Sequence, residues 1–140
     1  MINDHQWMEE LKKIANTIYQ CIKFTHDTPS NHQEGEGGMP VLDVQMHVNE
    51  ETILYEFYEK PFAYGLVIPA NSAHSKQLKL SVMVEEGVRR LRNNSRGLPW
   101  EKRRRVMEEW SRKLKRSGYP ATFRHQVVKA AVDRWEKMKE

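Results

Sequence analysis

Two helix joints constrain this chain more than anything else in it. Gly97-Leu98-Pro99 and Ser117-Gly118-Tyr119-Pro120 each set a glycine shortly before a proline. Glycine suits the left-handed position that follows a helix, and proline suits the first helical position. Residues 89–125 (RRLRNNSRGLPWEKRRRVMEEWSRKLKRSGYPATFRH) therefore read as the end of one helix, a whole basic helix and the start of a third. Apolar spacing agrees with this division. From Lys76 onward, Leu80, Val84, Gly87, Val88 and Leu91 make one stripe. Gly87 costs about 1 kcal/mol against Ala in a helix, and its place in the stripe points to a close helix contact. The middle helix turns Val106, Met107, Trp110 and Leu114 inward. The third turns Phe123, Val127, Val128, Ala131, Val132, Trp135 and Met138 inward. The last two form a helix–turn–helix pair and, with the helix from Lys76, a three-helix cluster.

The first half is built differently. Asn3 or Asp4 can cap a helix whose apolar face is Trp7, Leu11, Ile14, Ala15, Ile18 and Ile22. Residues 22–27 alternate and read as a strand. Residues 28–40, rich in Gly, Pro and polar side chains, read as a loop or wide hairpin connection. Residues 41–48 predict a strand with Leu42, Val44, Met46 and Val48 on one face and Asp43, Gln45 and His47 on the other. After a turn at 49–52, residues 53–60 return as a second strand of the hairpin, with Ile53, Tyr55 and Phe57 on one face. Its outer edge reads as open to pairing. A connector over 62–75 carries Phe62, Tyr64, Leu66, Val67 and Ile68, which need burial. The fold class is thus α+β: an N-terminal helix with a small antiparallel sheet or hairpin, then a C-terminal three-helix basic bundle containing a helix–turn–helix. The 140 residues suffice for one domain with a core, organised as 1–61, a connector and 76–140.

Charge divides along the same line. Residues 1–75 hold 4 Lys and Arg against 11 Asp and Glu, a balance of −7, while residues 76–140 hold 19 against 8, a balance of +11. No arginine precedes Arg89. Such asymmetry predicts a second half that faces phosphate or another acidic surface. Arg89, Arg90, Arg92 and Arg96 end one helix, and Lys102, Arg103, Arg104 and Arg105 begin the next, around the Gly97 turn. Arg112, Lys113 and Arg116 continue the basic surface, and Arg124 lies in the first turn of the third helix. Cations at a helix start oppose its dipole, so a cost without internal return hints at a partner. Pairing of these cations with Glu101, Glu108 and Glu109 along the helix is the bland counter-reading. Lys and Arg neutralise backbone phosphates, and arginine's flat fork grips two oxygens at once. Thr122, Arg124 and His125 occupy the end that reads bases in helix–turn–helix proteins. Trp100 and Tyr119 either stack on bases or plug the helix joints.

No catalytic constellation is legible. His47 and Asp43 on one strand face would be half a metal site, and a polar solvent face explains them better. Ser72 and His74 are close in sequence without an orienting group. No phosphate-cradling glycine motif is present, and no cofactor or metal is expected. The lone Cys21 reads as a partly buried, inert thiol. No apolar run approaches the ~20 residues that span a bilayer, and no leader pattern is seen, so an intracellular location, nuclear or cytoplasmic, is expected.

A family resemblance fits these features. The succession IKFTHD, a polar loop, PVLDVQMHV, LYEFYEKP, RRLRNNS and RKLKRSGYP resembles the region that follows the YxDD signature in animal retroelement reverse transcriptases, Penelope-like elements above all. The resemblance spans roughly residues 7 to 138. It implies that residues 1–61 are the end of a palm with its primer-grip hairpin and that 76–140 are a thumb-like helix–turn–helix bundle gripping a template–primer duplex. Val41-Leu42-Asp43 would stand at the structural "FLD" position. The family's metal-binding aspartates have no counterpart here, and two-metal phosphoryl transfer needs them. The resemblance therefore implies a chain that does not polymerise alone: a fragment, a decayed copy or a domain put to other use, with the remaining polymerase domains as further partners. Two other readings stay open, a helix–turn–helix DNA-binding regulator and a module whose basic helix meets an acidic protein partner.

Overall fold

The computed structural model describes residues 4–27, 38–48, 52–60 and 67–138, the side chains of residues 4 and 5 excepted. The described elements are α1 (Asp4–Ile18), β1 (Met39–Val41), β2 (Val44–Val48), β3 (Ile53–Phe57), α2 (Lys76–Arg92), α3 (Trp100–Arg116) and α4 (Ala121–Lys137). This is the α+β class expected. The chain forms two compact units, Met1–Met39 and Pro40–Glu140. The hairpin thus belongs with the basic helices rather than with the N-terminal helix.

In the first unit, α1 carries the expected apolar spacing, with Trp7, Leu11, Ile14 and Ile18 between 48% and 64% exposed. The helix stops at Ile18, and Ile22 N–H closes a turn on the Tyr19 carbonyl. Ile22 therefore lies beyond the helix face it was assigned to, and Cys21 is exposed rather than partly buried. The strand expected over 22–27 does not form. Instead the Asn16 carboxamide donates to the Phe24 carbonyl (3.0 Å) and accepts from the Phe24 N–H (2.7 Å). A side-chain amide offers the same donor and acceptor as a peptide group, so one asparagine replaces a partner strand. The helix cap at Asn3 and most of the glycine-rich loop, residues 28–37, lie outside the described residues.

In the second unit the strands lie in the order β1-β2-β3, with β2 and β3 antiparallel from Val44 opposite Phe57 to Val48 opposite Ile53. The single strand expected over 41–48 is broken. Leu42 adopts φ 54° and is 84% exposed, so it leaves the face it was to share with Val44, Met46 and Val48. A tight turn at Leu42 and Asp43 separates β1 from β2 instead. β3 also ends at Phe57, short of Lys60, where the Tyr58 N–H bonds the Asp43 carbonyl (2.9 Å).

The outer edge of β3 is not open. Ser95 N–H donates to the Tyr55 carbonyl (2.8 Å), and the Tyr55 N–H donates to Ser95 Oγ (2.8 Å). The Phe57 N–H donates to Asn94 Oδ1 (3.1 Å). The loop between α2 and α3 therefore stands where a fourth strand would, with two polar side chains supplying acceptors.

The core lies among α2, α3 and α4. Met83, Leu91, Trp110, Leu114, Val127 and Ala131 are at most 2% exposed, and each fully buried Leu or Val contributes about 1.5–3 kcal/mol. Gly87 marks the close contact expected of it: a Cβ there would lie 2.8 Å from the Ala131 Cβ. The bare backbone also admits Trp110, whose Nε1–H reaches the Met83 carbonyl at 3.3 Å. Ser75 caps α2 by accepting from the Leu78 N–H, and Val67 and Ile68 of the connector pack on the core. Phe62, Tyr64 and Leu66 lie outside the described residues.

At the second joint Gly118 takes the left-handed conformation, φ 88°, that its place predicts. Gly97 does not. α2 ends at Arg92, so the loop over 93–98 leaves its helix through Asn93 and the β3-bonding pair Asn94 and Ser95 rather than through a glycine turn. Pro99 and Pro120 stand at the N-caps of α3 and α4, one residue outside the first helical position. Met138, expected inward, is 52% exposed just past α4.

Candidate nucleic-acid interface

The twelve cations read from the sequence divide into three groups. The first is bound by carboxylates. Arg89 donates to both Glu86 oxygens (2.7 and 2.9 Å) and to Asp43. Arg90 donates to Glu86 (2.8 Å) and to Glu59 (3.3 and 3.4 Å). Lys102 meets Glu56 (3.0 Å), Lys113 meets Glu59, and Arg104 meets Glu108 (3.3 Å).

Arg90 is 3% exposed, with its guanidinium 4.6 Å from the Phe57 ring centroid and 4.6 Å from that of Trp110. It was expected on a polyanion-facing surface and is instead structural. A flat, weakly hydrated cation can be buried between aromatic faces when carboxylates satisfy its edge. The carboxylates respond. Burial pushes Glu86 upward, but the bonds and charges of Arg89 and Arg90 outweigh it and hold the group below the usual glutamate range. Glu59 behaves likewise, burial being outweighed by Lys113 and Arg90. The bond to Glu86 is the chief cause that raises Arg89 above an ordinary arginine.

The second group is tied to neutral partners. Arg103, 5% exposed, donates to the carbonyls of Leu98 (2.7 Å), Ser95 and Arg96 and lies over the Trp135 ring at 5.1 Å. It too is removed from the expected surface: its fork closes the loop between α2 and α3. Arg124, half-buried, donates to Ser111 Oγ (3.2 Å), which links α4 to α3. Thr122 and His125 beside it are exposed. Tyr119 plugs its joint, 5% exposed, with its hydroxyl donating to the Ile68 carbonyl (2.6 Å). Trp100, 45% exposed, lies beside Trp135 with ring centroids 6.1 Å apart.

The third group is Arg92, Arg96, Arg105, Arg112 and Arg116. All five are exposed, and none has an ion pair among the described residues. Arg105, Arg112 and Arg116 lie seven and four residues apart, so they line one face of α3. Glu101 and Glu109 share that face without a salt bridge among the described residues.

Sequence reasoning missed the hairpin's part in this. Of Glu101, Glu108 and Glu109, the intrahelical partners expected, Glu108 alone takes a described cation. Asp43, Glu56 and Glu59 take four others from across the unit. Glu56 also faces His47 across the hairpin at 3.3 Å, so His47 and Asp43 no longer share a site. No three His, Cys, Asp or Glu residues group together among the described residues. Ser72 and His74 approach to 3.4 Å on the surface, where Lys79 Nζ binds the Ala70 and Ser72 carbonyls.

No family model, curated protein or solved structure matches the chain. Among the described residues, no helix is long and apolar enough to cross a membrane.

Proposed function

We propose that the chain is a non-catalytic relative of the palm end and thumb of a retroelement reverse transcriptase, and that it binds the backbone of a nucleic-acid duplex through α3. The observation that carries this reading is the stripe of Arg105, Arg112 and Arg116. These cations form no ion pair among the described residues, Glu101 and Glu109 of the same face included, while the hairpin acids are already engaged with other cations. A helix face that keeps its positive charge outward gains from phosphates and releases their counterions. The order of the motifs IKFTHD, PVLDVQMHV, LYEFYEKP and RKLKRSGYP along the chain supports the retroelement kinship, though residues 22–27 form no strand, and the absence of YxDD supports a binding role without bond formation.

The regulator reading has less support. Arg124, its main base-reading side chain, is spent on Ser111.

The test is duplex binding by fluorescence anisotropy across a salt series. The wild-type chain is expected to bind DNA and RNA–DNA duplexes with little sequence preference. The Arg105→Ala, Arg112→Ala, Arg116→Ala triple variant is expected to flatten the slope of log K against log salt by about 2–3. Unchanged affinity and slope in the triple variant would sink the assignment. A large preference for one sequence would return the regulator reading.

A further inference from the structure

A second cationic feature lies away from the α3 stripe. A cleft of about 650 Å³ opens between β3, the loop joining α2 to α3, and the last turn of α4. Tyr55, Arg92, Asn94, Arg96, Arg103 and Trp135 are among its walls. Three of these are arginines, and among the described residues no Asp or Glu lines it.

Arg103 is the unusual member. Every acceptor that its guanidinium meets is a neutral carbonyl, and its Nε–H is buried with no hydrogen-bond partner. Burial with no compensating carboxylate lowers its proton affinity. A charge taken out of water without a counter-ion is costly. Arg90 shows how this chain balances a buried guanidinium internally, with two glutamates. Arg103 has none among the described residues; it lies over the Trp135 ring, and the other charged side chains at the cleft are two arginines without ion pairs among those residues. A concave wall of three like charges focuses a positive potential that an anion relieves. The donors outnumber the two oxygens of a carboxylate, whereas a phosphate group presents three or more oxygens and up to two charges.

We propose that this cleft binds a phosphate group, held by Arg92 and Arg96 at the mouth and by the field of Arg103 behind them. Tyr55, 39% exposed, offers a ring beside the bound phosphate on which a nucleobase can stack. This site stands without the duplex reading, since it uses none of the α3 stripe.

The test uses the full chain and isothermal titration calorimetry at fixed ionic strength. The probes are inorganic phosphate, adenosine monophosphate, and one short single strand with either a 5′-phosphate or a 5′-hydroxyl. Saturable binding of inorganic phosphate assigns the site to the phosphate group alone. Binding of the mononucleotide more tightly than phosphate adds the base, and preference for the 5′-phosphorylated strand makes a strand end the source. Each supports the site if the Arg92→Ala, Arg96→Ala double variant, checked for folding by circular dichroism, binds at least about tenfold more weakly. Both side chains are exposed, so the variant leaves the Arg103 bonds to backbone carbonyls in place. No saturable heat with any of the probes would overturn the proposal, as would a double variant that binds like wild type. Loss of duplex binding in the α3 triple variant is a separate outcome that bears on the other surface.

Discussion

Arg90 is enclosed by two aromatic rings and two carboxylates, and it bridges β3 to α2 and α3. Removing it leaves a hole between Phe57 and Trp110 and takes one of two cations from each of Glu86, which keeps Arg89, and Glu59, which keeps Lys113. Arg90→Met is expected to cost about 1.5–3 kcal/mol in urea unfolding, since its charge-assisted bonds to two carboxylates are lost; a loss below about 1 kcal/mol would show that the pairing contributes little net stability. Gly87 gives a second measurement. A methyl group there meets Ala131 at 2.8 Å. Overpacking costs about 1–3 kcal/mol, against about 1 kcal/mol gained in helix propensity. Gly87→Ala is therefore expected to lose about 1 kcal/mol net, and the loss should vanish or reverse in an Ala131→Gly background. Gly87 was readable from the sequence because a glycine inside an apolar helix stripe gives up propensity, and close packing of a neighbouring helix is what offsets that loss. Arg90 was not, because Glu59 and Phe57, which enclose it with Glu86 and Trp110, lie 31 or more residues away.

At the scale of elements, the informative piece is the loop over 93–98. Asn94 and Ser95 look like ordinary turn residues, yet they complete the sheet. Asn94→Ala leaves the Phe57 N–H without its acceptor, a cost of about 1–3 kcal/mol. In hydrogen exchange, the Phe57 amide is expected to lose protection in that variant, and the Tyr55 amide in Ser95→Ala. Unaltered protection in both would mean that the hairpin holds its edge without the loop. Helices were legible because their apolar period is long and their joints carry glycine and proline. Strands were less so: residues 22–27 alternate like a strand but are satisfied by Asn16, and Leu42 breaks a perfect alternation through its backbone. Period-two patterning over few residues does not specify which backbone groups find partners.

At the scale of the molecule, the acidic first half and basic second half are partly the two sides of one internal contact. Asp43, Glu56 and Glu59 of the hairpin region meet Arg89, Lys102, Arg90 and Lys113 of the bundle. Net charge per half was readable, but not how much of it is neutralised on folding. The pH dependence follows from this contact. Glu59 and Glu86 are held below their unfolded value of about 4.5, so their contribution is full above that pH and is lost as pH falls through the lower folded values. Thermal stability is expected to fall as pH drops below about 4.5, and a Glu59→Gln, Glu86→Gln variant should show a shallower decline. An identical decline in the variant would assign acid sensitivity to other groups.

The stitch between Tyr55 and Ser95 has a consequence for how the chain is made. The two residues are 40 apart, and ribosomes add about 5–20 residues per second. For roughly 2–8 s, then, a nascent β3 waits with its outward rim bare until the loop that seals it has been synthesised. Slower codons between the two would lengthen that wait, and a chaperone that shields strand rims would matter most in this interval.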